Sequence, residues 1–325
     1  MRLDPFTCLL ILVVSLASFF PCEGELAVWF GTLTKLAVAL LFFMHGAKLS
    51  RQNLIAGLGH WRLHLVVMAS TFLLFPLLGL LLTPLVPQWV SPAIYLGFLY
   101  LCALPATVQS AIAFTSMAGG NVSAAVCSAS ASSILGIFLS PILVGLMIDV
   151  QGAEVGTWHS IQSIMMQLML PFAVGHLSRP LIASWVGAHR PFIGKLDQSS
   201  ILLVVYTAFS EAVVQGIWHQ VGWYDLGSIV LLSCLLLALV LTWNIWISRR
   251  LGFSRADEIT IVFCGSQKSL ANGVPMANVM FPAASVGIMV LPLMIFHQIQ
   301  LMVCAVLARR YQDGETTRSV AVDRQ

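Results

Sequence analysis

The sequence predicts an all-α membrane protein of ten transmembrane helices, built as two inverted five-helix repeats in which helices four and nine are broken. Three observations predict it. The chain has 325 residues, of which 58% are hydrophobic and 9% charged, whereas soluble domains carry about a quarter charged residues. Apolar runs of spanning length recur along the whole chain with short gaps. The fourth and ninth runs are both interrupted by proline or glycine and by polar side chains.

A chain this apolar has the bilayer as its solvent, so its length counts helices rather than domains. The net charge of +3 is small, and no nucleic-acid partner is expected. The seven cysteines form no CxxC pair, which argues against a zinc site or a disulfide framework. They read as small buried apolar side chains, with Cys22 set apart near an outer loop. No metal and no cofactor are predicted.

The spans are placed near 6–21, 26–47, 63–84, 92–117, 121–148, 159–178, 198–218, 226–247, 255–280 and 283–308. The first run could be a signal peptide, but its SFFP end lacks a small-x-small cleavage site, so it is kept as a helix. Residues 1–311 then form a single polytopic domain, with repeats at about 1–150 and 151–311. Residues 312–325 form a polar cytoplasmic tail.

Orientation follows from lysine and arginine. With the N-terminus inside, the inner segments hold Arg2; Lys48, Arg51 and Arg62; Arg179, Arg190 and Lys195; Arg249, Arg250 and Arg255; and Arg309, Arg310, Arg318 and Arg324. The outer loops hold Glu23, Glu25, Asp149, Glu154 and Asp225 instead. This alternation predicts both termini in the cytoplasm of a cell whose inner membrane holds the protein.

Three charges fall within spans: Lys35, Glu211 and Lys268. Such groups are costly in hydrocarbon and face a cavity or each other. Lys35 and Glu211 occupy spans two and seven, the equivalents in the two halves, at similar depth. They are expected to form a structural ion pair. His45 reads as an interfacial side chain, and His297 as a neutral histidine bonded to a neighbouring helix.

The fourth span contains ALPATVQSA (103–111), where Pro105 removes a backbone donor. Thr107, Gln109 and Ser110 follow it. The ninth contains CGSQKSLANGVP (264–275), with Gly265, Ser266, Gln267, Lys268, Ser269 and Asn272. Nine is four plus five, and five is odd, so the halves have opposite orientations. Discontinuous helices in inverted repeats build midplane solute and ion sites. These residues, with Ser128 of the fifth span, are the candidate solute- and ion-binding set. The serines of 128–133 on their own read better as close helix packing.

The order and spacing of these motifs, with Gly120-Asn121-Val122 opening the fifth span and LFFMHGAKLS at 41–50, resemble the bile acid:sodium symporter family (solute carrier family 10). The stretches GHWRLH (59–64) and GSQKS (265–269) look closest to its bacterial YfeH-type branch, related to an orphan vertebrate member. The resemblance implies the bile acid:sodium symporter fold, with a panel of helices 1, 2, 6 and 7 and a core of helices 3–5 and 8–10. It also implies alternating access and organic anions taken up with sodium.

The sequence departs from the family at the sodium sites. A Ser-Asn pair after the fourth-span proline reads Ser110-Ala111 here, and the acidic residue of the ninth-span motif is Phe263. The motif's asparagine is Lys268, while Gly265, Gln267 and Ser269 match. Two unit charges a few ångströms apart repel by several kcal/mol even at an effective dielectric of about 20. Sodium beside Lys268 is therefore disfavoured. The ammonium is expected to take the place of one bound cation, holding together carbonyls and hydroxyls where the two broken spans cross. It could also exchange a proton, so coupling to sodium, to protons or to neither stays open at this point.

The predicted function is secondary transport of a small organic anion across the bilayer, with no enzymatic activity. A rival is a membrane-embedded Ser–Lys hydrolase using Ser266 or Ser269 with Lys268, but adjacent helical positions point about 100° apart. No HExxH or GxSxG motif is present. A transporter-fold regulator or sensor and a channel are further readings. Solute identity and oligomeric state are not written in the sequence.

Overall fold

A computed structural model describes residues 5–48, 60–148, 158–214, 216 and 222–322. Every regular element among them is a helix. In chain order these are α1 (Pro5–Phe19), α2 (Gly24–Lys48), α3 (Trp61–Leu85), α4 (Pro92–Ala103), α5 (Gln109–Met117) and α6 (Val122–Met147). They continue as α7 (Trp158–Ala188), α8 (Arg190–Val214), α9 (Trp223–Arg250), α10 (Arg255–Ser266), α11 (Leu270–Met280) and α12 (Ala283–Val322).

Five of these stretches are long and apolar enough to cross a membrane: Gly24–Lys48, Trp61–Leu85, Val122–Met147, Trp223–Arg250 and Ala283–Gln312. Their outer faces expose Leu33, Leu36, Leu73, Leu231 and Trp243. In water this surface would be an aggregation hazard; against lipid tails it is solvated. The protein is an integral membrane protein.

Several helices outrun their predicted spans. α7 runs on to Ala188 rather than stopping at 178, and α8 starts at Arg190 rather than 198. Arg179 and Lys195 thus lie on helices, not in a loop. α12 continues to Val322, past the last apolar turn at Tyr311. Hydropathy measures the thickness of the hydrocarbon, whereas the hydrogen-bond ladder can continue beyond it on polar residues. Three cysteines also depart from expectation. Cys8 and Cys234 are exposed, and Cys22 is buried.

The closest helix contact is between α2 and α7. A side chain at Gly46 would overlap the Phe172 carbonyl and the His176 backbone, and one at Gly175 would overlap the Phe43 carbonyl. Small residues allow such backbone approach where lipid gives no hydrophobic drive for association. α2 also meets α8, where the hydroxyls of Thr34 and Thr207 are hydrogen-bonded at 2.8 Å. The main apolar core joins α3, α4, α8, α9, α11 and α12. Within it Phe75 of α3 and Phe296 of α12 meet edge to face at 6.1 Å.

Candidate functional site

The site begins with two failures of helix propagation. Pro105 offers no N–H and biases its predecessor to extended backbone. Leu104 accordingly sits at φ −77°, ψ 155°, and α4 ends at Ala103. In the second break Gln267 is extended at φ −97°, ψ 143°. Ser269 then caps α11, its hydroxyl accepting from the Asn272 N–H at 3.2 Å. The two breaks bind each other. The Ser269 N–H donates to the Pro105 carbonyl at 3.0 Å. The Thr107 hydroxyl donates to the Lys268 carbonyl at 2.7 Å, and the Ser110 hydroxyl to Gln267 Oε1 at 2.5 Å. α6 makes room at Gly136, where a Cβ would lie 2.6 Å from Pro105. α6 also supplies the Ser132 hydroxyl, which accepts from the Ala106 N–H at 2.9 Å.

Lys268 is fully buried at this junction. Its ammonium donates to the carbonyls of Leu104 at 2.7 Å, Thr71 at 2.9 Å and Cys102 at 3.0 Å. It also sits over the Phe75 ring, 4.1 Å from the centroid. Three carbonyls match the three donors of an ammonium.

Each carbonyl is free for a reason that can be read locally. Cys102 and Leu104 lie at the broken end of α4, where helix carbonyls lack partners and the dipole favours a cation. The natural partner of Cys102, the Ala106 N–H, is already held by Ser132. Thr71 lies in a π-helical segment of α3, Ser70–Leu74, where the Phe75 N–H donates to the Ser70 carbonyl. The same five-residue spacing assigns Thr71 to Pro76, which has no N–H.

Gln300 of α12 satisfies the lysine's own peptide groups. Its Oε1 accepts from the Lys268 N–H at 2.8 Å, and its Nε2 donates to the Lys268 carbonyl at 2.9 Å. The same Nε2 lies 2.8 Å from His297 Nδ1. A glutamine amide can only donate there, so Nδ1 accepts.

Beside the junction lies a cavity of about 440 Å³, within the usual range for small-molecule sites. One wall is Thr107, Gln109, Ser110, Ser133, Ser269, Asn272 and His297. The opposite wall comes from α1, α2, α7 and α8, with Phe6, Leu41, His45, Lys48, Phe172, Asp197 and Ile201. Lys48 and Asp197 form an ion pair there. Asp197 Oδ1 and His45 Nδ1 are buried and have no hydrogen-bond partner.

The model of the SBF-like CPA transporter family matches residues 4–313. The chain belongs to that family. It is 68% identical over 310 residues to the "Putative symporter YfeH" of Escherichia coli K12, covering 95% of this chain and 93% of that protein. It is 59% identical over 308 residues to protein PA2026 of Pseudomonas aeruginosa, covering 95% and 92%. It is 29% identical over 334 residues to sodium/bile acid cotransporter 7-B of Xenopus laevis, covering 99% and 95%. A member of this family is a transporter rather than an enzyme. Consistent with that, the Lys268 ammonium bonds to carbonyls, while the Ser266 hydroxyl bonds back to Val262 at 2.6 Å.

The junction gathers most of the predicted set, but not all of it in one place. Thr107, Gln109, Ser110, Ser269 and Asn272 line the cavity. Gln267 and Lys268 are buried behind it at the junction. Gly265 packs against α9, where a Cβ would lie 2.8 Å from Asn244 Nδ2. Ser128 faces α3, with its hydroxyl 2.6 Å from His64 Nδ1. Phe263, at the position where the resemblance implied an acidic residue, packs on Phe114 and Tyr311 at ring distances of 5.8 and 6.3 Å.

Two other readings change. The serines of α6 do more than pack, since Ser132 and Ser133 bond to Ala106 and Asn272 of the broken segments. His45 and His297 both line the cavity. Lys35 is exposed on α2 and Glu211 is half-buried on α8, away from the cavity. Gln300, Lys48 and Asp197 stand at the candidate site and were not among the residues predicted for it. Among the described residues, no cluster of metal-ligating side chains occurs.

Proposed function

We propose that the protein is a secondary transporter that moves a small organic anion by alternating access and carries its own cation at the crossing. The carrying observation is the Lys268 ammonium on three carbonyls freed by the break that ends α4 and by a π-helical segment of α3. A site for a metal cation is built from such oxygens. Here the oxygens are taken by a covalently attached charge, and an aromatic cluster fills the acidic position. Sodium coupling through this position is therefore not expected.

The pairing of α4–α5 with α10–α11 supports counting each pair as one interrupted span, as the inverted-repeat reading requires. That count gives ten spans with both termini in the cytoplasm, in the inner membrane of a bacterium. The cavity between α5, α6, α11 and α12 on one side and α1, α2, α7 and α8 on the other is the proposed solute path, between core and panel.

The test compares metabolite uptake by cells with and without the gene, then measures the identified solute in sodium and sodium-free buffer at several pH values. Parent and Lys268→Asn are run in parallel. The expected result is sodium-independent uptake by the parent and loss of uptake in the variant. Sodium-stimulated transport of equal rate in both would sink the proposal.

A further inference from the structure

Away from the cavity, α9 and α12 leave a groove on the outer surface. Leu241, Ile245, Met302, Val306 and Leu307 line it, and Arg310 closes one end. A second hollow shares Thr242 and Ile245 with it and adds Trp246, Arg249 and Arg250 at that same end. The two have volumes of about 410 and 490 Å³. Arg249, Arg250 and Arg310 are exposed. We infer that this groove is a binding site for one anionic glycerophospholipid, with an acyl chain between α9 and α12 and the phosphate among Arg249, Arg250 and Arg310.

Geometry and charge choose the occupant together. Leu241 to Arg250 is nine helical residues, about 14 Å at about 1.5 Å per residue. One leaflet is half of a hydrocarbon core of about 30 Å, so the groove is as long as a leaflet is thick. Its walls are apolar along that length, and the guanidinium groups gather at the polar end, where a headgroup would lie. Arginine forks suit phosphate oxygens, and basic pockets between membrane helices bind anionic headgroups. A second copy of this chain fits worse. A two-fold contact through the groove would set Arg250 and Arg310 against their own copies.

The position gives the lipid a structural role. Arg249 holds Glu258 of α10 through two bonds of 3.1 Å, and the Tyr311 hydroxyl holds the same carboxylate at 3.1 Å. α10 leads directly into the break at Gln267. A phosphate beside Arg249 sits next to the fastening of the broken helix.

The test uses the purified full-length chain in detergent with an equimolar mixture of palmitoyl-oleoyl phosphatidylglycerol and phosphatidylcholine, read by native mass spectrometry. The parent is expected to retain one phosphatidylglycerol in preference to phosphatidylcholine. The Arg250→Gln/Arg310→Gln variant should lose about fivefold in that preference for each arginine removed. Arg250→Lys/Arg310→Lys should keep most of it. Val306→Trp, which fills the groove without touching charge, should lower retention of both lipids and remains informative if the glutamine variant fails to fold. Equal retention of the two lipids by the parent would overturn the inference. So would undiminished preference in a folded glutamine variant, or a lipid-free dimer that Val306→Trp dissociates.

Discussion

Gln300 holds both peptide groups of Lys268, accepting from its N–H at 2.8 Å and donating to its carbonyl at 2.9 Å. One side-chain amide thus replaces the helical hydrogen bonds that the break at Lys268 removes. In lipid no water is available to do so. Replacing Gln300 with leucine keeps the volume nearly constant but orphans the Lys268 N–H, while Thr107 still serves the carbonyl. The expected cost is about 1–3 kcal/mol, measured by thermal unfolding of the purified protein.

Lys268→Met should be strongly destabilising, because Lys268 is fully buried. It leaves the Thr71, Cys102 and Leu104 carbonyls without their donor. Each buried unsatisfied group costs about 1–3 kcal/mol. We expect little folded protein in membranes, read by fluorescence-detected size exclusion of a tagged chain. A Lys268→Met protein as stable as the parent would remove the lysine's structural role.

Gly46 and Gly175 should not tolerate a side chain. Both would drive a Cβ into backbone of the facing helix, which cannot rotate away. Gly175→Val is expected to abolish stable protein, whereas Gly187→Val, where nothing lies within 4 Å, should shift stability by less than about 0.5 kcal/mol. Equal yields of the two variants would contradict the close crossing of α2 and α7.

Lys48 and Asp197 should matter more for solute than for stability. The lysine side chain is 34% exposed and the aspartate 12%, so solvent screens part of their attraction. Lys48→Met is expected to cost at most about 1 kcal/mol of stability, yet to reduce uptake strongly because it removes a cation from the cavity wall. Uptake and unfolding measured on the same variant separate the two effects.

The breaks at Pro105 and at Gln267–Ser269 were legible because proline, glycine and clustered polar residues interrupt an apolar run in matching places. Their mutual contact was implied by the family resemblance, not by the interruptions themselves. Gln300 was not. It stands in MIFHQIQLM among other polar letters, and only the helix register shows which of them turns toward Lys268. Thr71 acts through its carbonyl, so its side chain carried no message; the cue lay in Pro76, five residues on. Ser128 was grouped with the site because it shares a serine-rich stretch, yet its face of α6 meets α3. Lys48 and Asp197 are 149 positions apart; Lys48 read as an inner-segment charge, and only the packing of α2 beside α8 gives it Asp197 as a partner.

The tether of Lys268 has one more consequence. An ion drawn from the medium occupies its site in proportion to its concentration, so its carrier feels every change in the salinity outside. An amine fixed to the chain cannot diffuse away. Its presence at the crossing is set at translation, one per molecule, whether the cell sits in fresh water or brine.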